Sequence, residues 1–214
     1  MMLFDLFEGE RSRLTLGVGA ALLGGFARER ADELISHIHD LSAQAPFRHM
    51  ETRGGKRMSV AMLNCGPLGW VSDRSGYRYT ASDPLTGKAW PAFPPLFLDL
   101  AARAAQEMGF QDFVPDACLI NRYQPGARLS LHQDMDEQDH VAPIVSVSLG
   151  LPATFLWGGL HRNMRPARHQ VFHGDVVVWG GPSRMIFHGV DVLKDGFHPA
   201  TGTVRFNLTF RKVR

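Results

Sequence analysis

The sequence predicts a mainly β protein of the α+β class, an antiparallel sandwich or jelly roll with helices packed outside the β core. Three observations carry this. Two helical stripes occur, and both lie before Pro115. After it, about eight short apolar runs follow one another, separated by Gly, Pro and Asp turns. No linker and no internal repeat interrupts the 214 residues, a length suited to one large domain with a real core. The predicted division is a single domain, 1–214, with helices and a connecting segment in 1–113 and the β core in 114–214.

In chain order, Ala20 to Phe26 is a short strand between glycine breaks. Glu29 to Ala43 changes to helical spacing, with Leu34, Ile35, Ile38 and Leu41 forming one stripe and Pro46 ending it. His37 and His39, two apart, point to different faces and make a poor ligand pair. From Phe47 to Pro95 the pattern weakens, with a strand over Met58 to Leu63. Pro95 to Gly109 is the second helix, started by proline and closed by glycine, with Leu96, Phe97, Leu100, Ala101, Ala104 and Met108 inward. The later strands fall at Ala117–Tyr123, Leu129–Asp134, Ile144–Leu149, Ala153–Trp157, His169–Phe172, Val176–Trp179, Met185–Phe187 and Thr203–Phe210.

Composition bounds the function. A formal charge of +2, from 23 Lys+Arg against 21 Asp+Glu, is too small to prove a nucleic-acid partner, so local patches must make that case. Cys65 and Cys118 stand in apolar contexts and read as buried, reduced thiols of a cytoplasmic protein. Met1 to Phe7 lacks the basic start of a signal peptide, and the run Leu14 to Phe26 is short and glycine-broken. Neither is a membrane helix, and a cytoplasmic location is expected.

The chemistry centres on Arg128-Leu129-Ser130-Leu131-His132-Gln133-Asp134. Its alternation is that of a half-buried strand, which places His132 and Asp134 on one face roughly 7 Å apart at Cα. They can converge on a metal ion, although an ordinary polar strand face gives the same pattern. His188, after an apolar run, completes a two-histidine, one-carboxylate set, the arrangement that leaves positions open on a divalent iron. His173 and His198 are rival third ligands, each in a turn. In Thr203–Arg211, Val204, Phe206, Leu208 and Phe210 share one face and Arg205, Asn207, Thr209 and Arg211 the other. Inward arginines would want a dicarboxylate, because guanidinium grips carboxylate through paired hydrogen bonds. A solvent-facing cationic strand is the competing reading. Asn121 and Tyr123 add an amide and a phenol on one face of their strand. Earlier, Arg48, His49, Arg53, Lys56, Arg57, Arg74 and Arg78 interleave with Trp70, Tyr77 and Tyr79, as a single-stranded nucleic-acid surface would, or as a solvated loop with its aromatics folded back.

Asn121-x-Tyr123, His132-x-Asp134, His188 and Arg205-x-Asn207-x3-Arg211, with Ala117–Tyr123 and Val176–Gly181, resemble the AlkB family of iron(II)- and 2-oxoglutarate-dependent nucleic-acid dealkylases, in particular its bacterial members. The resemblance covers nearly the whole chain. It implies a double-stranded β-helix core preceded by a nucleotide-recognition lid over about Phe47 to Tyr79. It also implies Fe(II) on His132, Asp134 and His188, and 2-oxoglutarate on Asn121, Tyr123, Arg205, Asn207 and Arg211, with O2 as oxidant. Trp70, Tyr77, Asp136 and Arg162 would meet the base, His132 closing its other side. The implied substrate is 1-methyladenine or 3-methylcytosine in single-stranded DNA, acted on by a monomer. The same chemistry on RNA, or a non-catalytic jelly-roll nucleic-acid-binding module, are the alternatives. Two departures stand out: a basic lid tip, Thr52-Arg53-Gly54-Gly55-Lys56-Arg57, and Met135 where a basic residue is expected.

Overall fold

A computed structural model describes residues 12–214 of the chain, so the reading of Met1 to Phe7 lies outside the described residues. The strands are β1 (Leu14–Gly17), β2 (Ala20–Leu23), β3 (Arg48–Glu51), β4 (Arg57–Cys65), β5 (Gly69–Asp73), β6 (Gly76–Thr80), β7 (Ala117–Tyr123), β8 (Leu129–His132), β9 (Ile144–Gly150), β10 (Ala153–Trp157), β11 (Ala167–Val171), β12 (Val176–Trp179), β13 (His188–Val190) and β14 (Arg205–Arg211). The helices are α1 (Ala31–Gln44) and α2 (Pro95–Glu107). An eight-stranded sheet runs β1-β2-β12-β9-β14-β7-β4-β3, a four-stranded sheet runs β11-β10-β13-β8, and β5-β6 form a separate hairpin. All the pairings between named strands are antiparallel. The double-stranded β-helix core is thus made of a large and a small sheet, and β1 to β4 of the N-terminal segment belong to the large one.

The large sheet is covered on both faces. Leu34, Ile35, Ile38 and Leu41 of α1 and Leu96, Phe97, Leu100, Ala101 and Ala104 of α2 pack against Cys118, Ile120, Val145, Val147, Phe206, Leu208 and Phe210. On the other face Leu119, Tyr123, Ile144, Val177 and Trp179 meet Phe155, Trp157, Val171 and Val190 of the small sheet. Successive side chains of a strand alternate between these two layers. Every residue of β14 is therefore buried, including Arg205 and Arg211. The solvent-facing reading of that strand fails, because the face carrying Arg205, Asn207, Thr209 and Arg211 is buried against the inner cavity while the helices cover the apolar face.

Local chemistry sets the helix ends. Ala45 is extended, at φ −141° and ψ 108°, because Pro46 excludes the helical conformation from the residue before it. Pro95 opens α2, and Gly109, at φ 81°, follows its end.

Several boundaries differ from expectation. The first helix begins at Ala31 after a 3-10 turn over Arg28–Arg30, rather than at Glu29. The strand begun at Ala20 stops at Leu23, since Gly25, at φ 68°, turns the chain and Arg28 N–H bonds back to it. The strand expected over Met185–Phe187 lies instead at His188–Val190: Ile186 N–H is still held by the turn, on Ser183 O. β11 ends at Val171 because the Asp175 carboxylate takes the Phe172 N–H at 2.7 Å. Cys65 and Cys118 face each other across β4 and β7 as buried thiols. No helix among the described residues is long and apolar enough to cross a membrane.

Candidate active site

His132 ends β8 and His188 begins β13, and the antiparallel register sets them directly opposite one another. Their rings lie 4.4 Å apart between centroids. Asp134, two residues beyond the strand end, brings Oδ1 to 3.5 Å from His132 Nε2 and Oδ2 to 3.7 Å from His188 Nε2. The ligand atoms of the three residues all lie within 4.8 Å of one another. Each imidazole donates its Nδ1–H to a carbonyl, His132 to Ser130 at 2.9 Å and His188 to Ile186 at 3.0 Å. That tautomer leaves both Nε2 lone pairs free for a cation. Burial, with His132 beside it, lowers the His188 pKa to about 3, so the ring stays neutral. Burial alone would raise the Asp134 pKa, but Arg211, His132 and His188 outweigh it and hold the carboxyl well below the usual range. Two imidazoles with Nε2 turned to one point, His188 held neutral, beside an ionised carboxylate are a donor set that fits Fe(II).

Deeper between the sheets, β7 and β14 pair Tyr123 with Arg205 and Asn121 with Asn207. Arg205 is buried and donates through one terminal nitrogen to Ser148 Oγ at 2.8 Å. Its Nε and its other terminal nitrogen find no partner among the described residues, nor do the Tyr123 hydroxyl and Asn121 Oδ1. The Arg205 guanidinium lies 5.1 Å from the Tyr123 ring centroid. Burial pushes the Tyr123 phenol up to about 12, so it remains a donor. A buried guanidinium with unused N–H groups is costly unless an anion completes it. The cradle fits a carboxylate, and so fits 2-oxoglutarate.

The other two expected co-substrate residues, Asn207 and Arg211, line the same cavity and are also hydrogen-bonded within the protein. Asn207 donates to Ser146 Oγ and Val147 O and accepts from Asn121 and Thr209. Arg211 donates to Asp134 Oδ2 from Nε at 3.1 Å and a terminal nitrogen at 3.0 Å. These bonds tie them to Asn121 and Asp134. His173 and His198 stack on each other at 4.3 Å, apart from the His132–Asp134–His188 group.

One cavity of about 760 Å³ joins the triad and the cradle, and Trp70, Tyr77, Asp136 and Arg162 also line it. The segment expected as a lid is two hairpins, β3-β4 and β5-β6; the strand read over Met58–Leu63 lies within β4, whereas the weak local pattern hid β3, β5 and β6. Trp70 and Tyr77 stack at 5.7 Å with 17° between planes, and Trp70 Nε1 donates to Asp136 Oδ2 at 2.8 Å. Arg162 is exposed, 6.0 Å from the Phe187 ring. Lys56, Arg57 and Arg128 line the same cavity, as does Met135, which is 61% exposed. The sequence reading took Tyr79 only as one aromatic of a nucleic-acid surface, and it missed Glu137, Arg184, Ser146 and Ser148. Only the serines carried a signal, alternating with valine in Val145-Ser146-Val147-Ser148.

Comparison with known proteins agrees with this geometry. Residues 19–211 match the 2OG-Fe(II) oxygenase superfamily. The chain is 57% identical to the alpha-ketoglutarate-dependent dioxygenase AlkB of Escherichia coli K12, over 99% of this chain and 98% of that one. It is 35% identical to the Homo sapiens nucleic acid dioxygenase ALKBH1 over 58% of this chain and 31% of that protein. The solved structure of OsALKBH1 superposes with a TM-score of 0.82 at 29% identity, covering 94% of this chain and 99% of that one.

Proposed function

The chain belongs to the AlkB family of 2OG-Fe(II) oxygenases, and from that premise we propose that it demethylates 1-methyladenine and 3-methylcytosine in single-stranded DNA as a repair enzyme. It is an Fe(II)- and 2-oxoglutarate-dependent dioxygenase. The nucleic-acid substrate is supported by the human relative's name and by the aromatic lid. The observation that carries the reading is the placing of a His132–Asp134–His188 cation site, an unsatisfied Arg205 cradle and a stacked Trp70–Tyr77 pair in one cavity.

In this reading His132 Nε2, His188 Nε2 and the Asp134 carboxylate hold the iron. Arg205, Tyr123 and Asn121 grip the distal carboxylate of 2-oxoglutarate, with Asn207 and Arg211 near its other carboxylate. Fe(II), 2-oxoglutarate and O2 together supply the oxidation that converts the N-methyl group to formaldehyde, with succinate and carbon dioxide as co-products. The protein's own work is recognition and orientation. A base must leave its stack to present a ring-nitrogen methyl group, which favours single strands. Trp70 and Tyr77 offer a π surface to the extruded base, and both methylated bases are cations. Asp136 places negative charge beside that surface and so favours them over neutral bases. Arg162, Lys56, Arg57 and Arg128 supply positive charge for the backbone. The chain provides every one of these groups itself and acts as a monomer in the cytoplasm.

The test is formaldehyde release from a methylated DNA oligonucleotide supplied with Fe(II), 2-oxoglutarate and oxygen, with a matching RNA as competitor. Release matched by succinate is expected, and His132→Ala abolishes both together with bound iron. Iron-loaded protein that consumes 2-oxoglutarate but frees no formaldehyde would refute the substrate, and preference for the RNA competitor would reassign it.

A further inference from the structure

Between the triad and the aromatic hairpin lies a run of buried charge for which base recognition and metal binding leave no role. Glu137 is buried, three residues past Asp134. Its Oε1 accepts the Tyr79 hydroxyl at 2.5 Å and lies 3.4 Å from Arg211 Nε. Its Oε2 accepts from Arg184 at 3.0 Å. Both arginines then reach the same metal-site residue: Arg184 donates to the Asp134 carbonyl at 2.7 Å, and Arg211 grips the Asp134 carboxylate. One carboxylate thus touches β6, β14 and the end of the 3-10 turn Gly181–Ser183, and through two cations it fixes both the backbone and the side chain of Asp134.

The other end of this network is the lid. Tyr79 sits opposite Trp70 across the β5-β6 hairpin, and Tyr77 lies on the same strand as Tyr79. Trp70 Nε1 bonds to Asp136, so the hairpin is pinned twice, at consecutive residues of the segment that begins with Asp134. Burial pushes the Tyr79 phenol well above its ordinary range, which keeps its proton available to Glu137. Two carboxylates and two guanidiniums meet with their charges balanced, which suits them to a fixed, water-poor position.

We propose that Glu137 is a positioning residue that locks the Trp70–Tyr77 hairpin to the Asp134 segment, so that seating the base and orienting the metal ligand are one event. The inference rests on the reading of His132, Asp134 and His188 as metal ligands. If cation binding steadies Asp134, it steadies the hairpin through Tyr79, and the coupling is reciprocal.

Amide hydrogen exchange of β5-β6 in the full chain, with and without Co(II) plus 2-oxoglutarate, reads this coupling without turnover. In the native chain the cation slows exchange of the hairpin at least fivefold. Tyr79→Phe, which removes one hydroxyl and keeps the ring, loses that slowing, and Glu137→Gln, which keeps an acceptor but not the charge, retains only part of it. Ser72→Ala is the control for general loosening. It breaks the 2.5 Å bond from β5 to Glu51 O, raises exchange throughout the hairpin and preserves the Co(II)-dependent slowing. Equal slowing in native and Tyr79→Phe chains would overturn the proposal, as would equal loss in Ser72→Ala. With methylated oligonucleotide, the Tyr79→Phe ratio of formaldehyde to succinate falls below one, whereas a merely structural role leaves it at one. A native chain that frees no formaldehyde refutes the DNA substrate, and the exchange measurement still decides the role of Glu137.

Discussion

At the scale of single residues, the site is a set of buried polar groups whose unmet bonds define what must enter. Arg205 is the clearest: buried, it has Nε and one terminal nitrogen unused among the described residues. Such a group weakens the empty protein and strengthens the loaded one. Arg205→Met is therefore expected to melt no lower than the native chain without co-substrate, while losing the rise in Tm that 2-oxoglutarate gives the native protein. Its KM for 2-oxoglutarate rises roughly 10- to 100-fold, on the order of 1.5–3 kcal/mol for charge-assisted hydrogen bonds. Thermal melts with and without 2-oxoglutarate, beside succinate kinetics, check both signs. Arg205 and His132 were legible in sequence because alternation puts residues of one parity on one face, and His188 because it follows an apolar run. The contact of Arg211 with Asp134 was not. The parity of Arg211 matches that of Arg205, but its guanidinium lies against Asp134, a contact that depends on where the loop beyond β8 returns.

At the scale of elements, legibility followed how strongly one strand or helix could declare its faces. α1, α2, β7 and β14 carry long, regular apolar spacing and lie where the pattern puts them. The hairpin β5-β6 does not, because it presents mostly half-buried residues to a cavity rather than an apolar face to a core. β13 was displaced in the reading since its residues, His188-Gly189-Val190, have almost no pattern of their own. Its place is set by its partners, and Gly189 shows how closely. A Cβ there would lie 2.6 Å from Leu129 O on β8, between the residues whose register opposes the two histidines. Gly189→Ala must push β13 from β8, and overpacking of this kind costs about 1–3 kcal/mol. The expected result is a lower Tm together with metal affinity weakened at least tenfold, read by chelator competition. A variant with a lower Tm and native affinity would mean that the strand pair does not set the histidine spacing.

For the whole molecule, the two-sheet architecture leaves one end of the sandwich for chemistry and ties the loops elsewhere by other means. His173, in the turn between β11 and β12, accepts the Gly150 N–H through Nδ1 at 3.0 Å and stacks on His198 from the β13–β14 connection. Burial, with His198 and Arg28 nearby, lowers its pKa from 6.5 to about 4. The unfolded chain therefore binds this proton at a higher pH than the folded one, so stability rises with pH between about 4 and 6.5. In the acid direction the contribution is whole above 6.5 and is lost as pH falls toward 4. The structural reason is direct: a protonated Nδ1 cannot accept from Gly150. His173→Asn offers an amide oxygen as acceptor and does not titrate. Urea midpoints at pH 7 and pH 5 should fall less in the variant than in the native chain, and the difference between the two drops isolates this ring from the other histidines. The partial exposure of the site keeps that difference small. Equal drops would mean that His173 titrates alike in the folded and unfolded chains, and that the stacked pair is no clamp.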